Sequence, residues 1–77
     1  MKATVLIRPK EGILDPQGDA VRQSLQKLGF GVHAARVGRV VDLDVEADDA
    51  VGARAEIQRM CEELLANPLI ESYEIQQ

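Results

Sequence analysis

From Ala3 to Arg8 the chain alternates, with Ala3, Val5 and Ile7 on one side and Thr4, Leu6 and Arg8 on the other. That period of two, rich in β-branched residues, predicts a strand. Leu6 adds an aliphatic residue to the second side, as a central strand with partly covered faces requires. Pro9 to Leu14 is a connector. Asp15-Pro16 then offers a capping carboxylate and a residue suited to the first helical position, and Val21, Leu25 and Leu28 follow at helical spacing with Ala20 beside them. Gly29 ends that helix, because glycine adopts the left-handed conformation without strain. Val32 to Val37 and Val40 to Glu46 read as two strands of a hairpin about Gly38, the second with Val41, Leu43 and Val45 inward and Asp42, Asp44 and Glu46 outward. Asp48 or Asp49 caps a longer helix reaching about Ala66, with Ala53, Ile57, Met60, Cys61, Leu64 and Leu65 on its buried stripe. Gly52 weakens that helix by roughly 1 kcal/mol relative to alanine. Asn67-Pro68 stops it, and Leu69 to Gln76 forms a fourth strand with Tyr73 and Ile75 on its apolar face.

The order β-α-β-β-α-β predicts a single α+β domain over residues 1–77: a ferredoxin-like sandwich with a four-stranded antiparallel sheet and two helices on one face. The first and third strands are then central, which puts Leu6, Arg8, Val40, Asp42 and Asp44 on the uncovered face. A face of mixed apolar and charged character reads as a subunit contact or as a solvated surface. The length of 77 residues favours association, since chains below ~70–80 residues often need help beyond their own core.

Thirteen acidic residues against nine basic ones leave a net charge of −4, which argues against nucleic acid or an anionic membrane as partner. No apolar run approaches the ~18 residues of a membrane span, and the expected location is cytoplasmic. The single cysteine excludes an internal disulfide framework.

Candidate chemistry is sparse. His33 and Cys61 are the only residues of their types, and Cys61 lies among helix-stripe aliphatics, where it reads as an inert core thiol. Asp42, Asp44 and Glu46 sit at alternate strand positions, ~6.6 Å apart, a spacing that does not converge on one metal ion. Gly29-Phe30-Gly31 follows a helix, unlike a phosphate-binding glycine loop after a strand. The start of the first helix, with Arg8 and Lys10 near, is attractive to an anion but opposed by Asp15 itself. Phe30 and Tyr73, the only aromatics, fall outside the central strands that RNA-binding sheets use. No active site, cofactor site or metal site is expected.

Arg8-Pro-Lys-Glu-Gly-Ile-Leu-Asp-Pro-Gln-Gly18, Ala20-Val21, Leu28-Gly29, Arg36-Val37-Gly38-Arg39 and the stretch from Met60 to Glu71, with its Cys-x-x-Leu-Leu-Ala-Asn-Pro, resemble the PurS family across nearly the whole chain. PurS is the small subunit of bacterial and archaeal phosphoribosylformylglycinamidine synthase. The resemblance implies a non-catalytic subunit that associates with itself, as a dimer or dimer of dimers. It further implies a bridge between a glutaminase subunit and a synthetase subunit, the latter using ATP and Mg²⁺. Ammonia would pass between them to convert formylglycinamide ribonucleotide to formylglycinamidine ribonucleotide. On this reading Arg8, Lys10, Asp15 and Gln17 are candidate partner contacts, with Arg36 and Arg39 as a second patch. Asp15, Pro16, Gly29 and Pro68 also have purely structural readings as caps and stops. The alternative from another class is a stand-alone amino-acid-binding regulatory module of the ACT type, which shares the topology. An acylphosphatase-like enzyme is discounted, because the only asparagine, Asn67, serves as a helix stop.

Overall fold

The alternating segment becomes the middle of the sheet. In the computed structural model, which describes all 77 residues, β1 (Lys2–Pro9) pairs antiparallel with β2 (Arg39–Asp44) on one edge and with β3 (Glu71–Gln76) on the other. Val5 lies opposite Val41 and Ile75, and Leu6 opposite Val40 and Glu74. The two helices are α1 (Pro16–Lys27) and α2 (Ala50–Met60), and α2 continues into one π-helical turn, Cys61–Leu65.

Strand alternation and the α2 stripe meet in one core. Ala3, Val5 and Ile7 from β1 pack with Ile75, Val45, Ile57, Cys61 and Ala66, while Val41, Leu43, Met60, Leu65 and Tyr73 pack at its margin. Full burial of an aliphatic side chain contributes about 1.5–3 kcal/mol, so Val5, Ile7 and Ile57 are the principal anchors. Asp49 caps α2 by accepting the Gly52 N–H at 2.6 Å. The turn at Asn67-Pro68 is closed by Asn67 Oδ1, which accepts the Leu69 N–H at 3.1 Å.

Three expectations are corrected. The sheet has three strands, not four, because Val32 to Val37 joins no ladder. Arg39 already pairs with Ile7 in β2, leaving only Gly38 to reverse the chain, one residue fewer than the tightest common hairpin loop. Val37 instead gives its N–H to the Asp15 carboxylate at 2.9 Å. The second correction concerns α1, which contributes nothing to the core; only α2 covers the sheet, and Val21 and Leu28 are 41% and 74% exposed. Third, Leu64 leaves the buried stripe. The Ala66 N–H donates to Cys61 O, five residues back, and this wider turn rotates Leu64 outward to 83% exposure.

Residues 10–38 therefore form an arm beside the sheet layer. The molecule measures 50 × 23 × 14 Å with a radius of gyration of 15.7 Å, against about 11–12 Å for a compact chain of this length.

Candidate partner-binding surface

The arm leaves the sheet through a stitched base. Asp15 caps α1 by accepting the Gly18 N–H at 3.1 Å through Oδ1, while its Oδ2 takes the Val37 N–H. One carboxylate thus joins the outgoing and returning segments of the arm. The Val37 amide, then that of Gly18, holds its pKa below the ordinary 3.8, since hydrogen bonds to the ionised form favour it. Arg36 adds a second stitch, donating from Nη2 to Pro9 O and, at 2.6 Å, to Lys10 O. Two glycines let the backbones approach: a Cβ at Gly18 would strike Ala35 O, and one at Gly38 would strike Ile7 O.

A second cluster ties the sheet to the end of α2. Arg39 Nη2 donates to both carboxylate oxygens of Glu71, at 2.8 and 2.9 Å, and to Leu65 O at 3.0 Å. Glu71 also accepts the Asn67 N–H at 2.8 Å. The Asn67 amide, then Arg39, keeps its pKa below the ordinary 4.5. Lys10 reaches the same turn, its Nζ donating to Pro68 O at 2.6 Å.

Of the six candidate contact residues, Lys10, Asp15, Arg36 and Arg39 each engage this chain's own backbone, and Arg39 also holds Glu71. Gln17 is exposed on the first turn of α1. Arg8 is exposed and lies 3.7 Å from Glu74. The structure brings Arg8, Arg36 and Arg39 around one surface hollow of about 420 Å³, lined also by Leu6, Ile7, Pro9, Gly38 and Val40.

The roles of Gly18, Gly38 and Glu71 escape a reading of the sequence. Gly18 stands three residues after a capping aspartate, which is a local signal, but the approach of Ala35 depends on a contact across the arm. A second set of exposed apolar residues, Leu14, Leu28 and Phe30 on the arm with Leu64 and Leu69 near the end of α2, also emerges only in three dimensions.

The reactive residue types are kept apart. His33 lines a hollow on the arm, whereas Cys61 is fully buried in the core, where burial, then nearby Glu62, raises its thiol pKa. Asp42 accepts from Thr4 at 2.8 Å, and Asp44 lies 3.5 Å from the amino terminus, so these outward carboxylates face different partners.

Comparison with known proteins draws the sequence and the geometry together. Residues 2–77 match the family model described as PurS, phosphoribosylformylglycinamidine (FGAM) synthase. The phosphoribosylformylglycinamidine synthase subunit PurS of Methanocaldococcus jannaschii is 39% identical over 75 residues, covering 96% of this chain and 90% of that protein. Its counterpart in Archaeoglobus fulgidus is 45% identical over 76 residues, covering 97% and 95%. Among solved structures, a chain of PurLQS from Thermotoga maritima superposes with a TM-score of 0.90 at 32% identity, covering 97% of this chain and 93% of that one.

Proposed function

Because this chain belongs to the PurS family, we propose that it is the non-catalytic small subunit that bridges the glutaminase and ATP-dependent synthetase subunits of phosphoribosylformylglycinamidine synthase. In this role it assists ammonia transfer for the conversion of formylglycinamide ribonucleotide to formylglycinamidine ribonucleotide in purine biosynthesis. The observation that carries the reading is the family match over residues 2–77, and the likeness to a chain of the T. maritima PurLQS structure supports it.

The physical need for a bridge follows from the chemistry. Ammonia released into water is diluted and largely protonated, and ammonium has no lone pair for attack on an activated amide carbon. A subunit that holds two sites in register acts by positioning and by excluding water. A stitched arm extending from a small sheet suits that task. ATP and Mg²⁺ belong to the synthetase in this scheme, and this chain holds neither. The working location is the cytoplasm, and neither nucleic acid nor membrane is a partner.

Self-association, as a dimer or dimer of dimers, is part of the proposal. The exposed apolar arm supports it, as does the stretch Val32 to Val37, which lies outside the sheet ladder. Backbone outside a ladder is open to pairing with another chain, and on association this stretch is where a fourth strand would form. The ACT-type reading is not favoured, since the family match is to PurS.

The test is reconstitution with purified glutaminase and synthetase subunits. Glutamine-dependent synthesis should require this chain, while ammonia-dependent synthesis should proceed without it. Equal glutamine-dependent rates with and without the chain would remove the bridge.

A further inference from the structure

Within a chain of net charge −4, three arginines converge on one hollow. Arg8, Arg36 and Arg39 surround a floor formed partly by Leu6 and Val40, and none of the eight lining residues is acidic. Acidic neighbours touch only the rim: Glu74 is 3.7 Å from Arg8 Nη1, and Glu71 binds Arg39 Nη2. The anchoring of two of these guanidinium groups is one-sided. Arg36 and Arg39 are each held within the chain through Nη2, which leaves Nε and Nη1 of both without an internal acceptor. Val40, on the floor, is 64% exposed.

We propose that this hollow receives an acidic segment of a partner subunit in the synthase complex, with carboxylates on the arginines and an apolar side chain on Leu6 and Val40. The inference rests on the bridging role and names the chemistry of one contact within it. A planar guanidinium matches a carboxylate with paired N–H donors. Fixing two of the three side chains beforehand removes much of the entropy lost when flexible arginines are ordered on binding. Glu74 and Glu71 offset part of the charge of Arg8 and Arg39, while Arg36 makes no ion pair within the chain and keeps the hollow net positive, which steers an acidic segment to this end of the sheet.

The experiment measures binding of the fluorescently labelled full chain to the purified synthetase and glutaminase subunits at low and high salt, with sedimentation of the labelled chain alone. Arg8→Glu is the main variant, because Arg8 is exposed and its one ion pair is loose. Arg39→Gln is the second, checked by thermal melting because Arg39 also ties β2 to the turn after α2. Arg8→Glu should weaken binding to one partner about tenfold or more at low salt, flatten the salt dependence, and leave melting and self-association unchanged. Unchanged partner affinity in Arg8→Glu and Arg39→Gln, with wild-type binding intact, overturns the hollow and leaves the bridge standing. A change confined to self-association also overturns it, since the occupant is then a second copy. Wild-type chain that binds neither subunit removes the bridging role itself.

Discussion

The sheet layer and the arm, residues 10–38 of the 77, are built to opposite ends. In the layer, Val5, Ile7, Ile57 and Cys61 are almost completely enclosed, and hydrophobic burial does the stabilising. In the arm, backbone groups are tied at the base by Asp15 and Arg36, yet Leu14, Leu28 and Phe30 stay bare. One region is held by what it buries; the other is held by hydrogen bonds at its root and keeps its apolar residues outside. A short chain that leaves aliphatic helix residues uncovered has a surface suited to association.

The contrast can be broken most sharply at Ile57. Ile57→Ala should cost about 2–5 kcal/mol, seen as a large drop in the urea midpoint, whereas a midpoint close to wild type would show that α2 is dispensable to the core. Gly18→Ala comes next: its added methyl strikes Ala35 O, and overpacking of this kind costs typically about 1–3 kcal/mol. Hydrogen exchange should localise the loss to the arm base while β1 amides remain protected. Acidification acts more gently and through two carboxylates. Asp15 and Glu71 have folded pKa values below their ordinary 3.8 and 4.5, so their stabilisation is present above those values and fades as pH falls through the lowered ones. Denaturation midpoints should fall below about pH 4, and Asp15→Asn should blunt that decline; identical acid profiles would show that Asp15 does not link folding to pH. Smallest of all, Leu28→Ser should shift monomer stability by no more than about 0.5 kcal/mol while weakening self-association by sedimentation. A large loss of monomer stability would place Leu28 in a core.

Local signals in the sequence carried the sheet layer further than the arm. The alternation of Ala3, Val5 and Ile7, the caps at Asp15 and Asp49, and the stop at Asn67-Pro68 are written in neighbouring residues, and all four reappear in the structure. The fate of Val32 to Val37 was hidden because it depends on whether Val37 N–H joins a ladder or meets Asp15, 22 residues away. Amphipathic spacing in α1 showed an apolar face but not what lies against it. Leu64 escapes for a different reason: a stripe drawn at 3.6 residues per turn fails where the winding widens. Among the candidate contacts, the arginines were visible as residue types, while their meeting with Leu6 and Val40 required the register of β1 against β2.

The wide turn at Cys61–Leu65 makes the helix a residue-counting device between two fixed ends, the Asp49 cap and the Asn67 turn. Removing one residue there would let the winding relax to the regular pitch of 3.6 residues per turn while the turn at Asn67 keeps its place. Relatives that differ by a single residue in this stretch would then present a different side chain to the outside while keeping both ends of the segment in place.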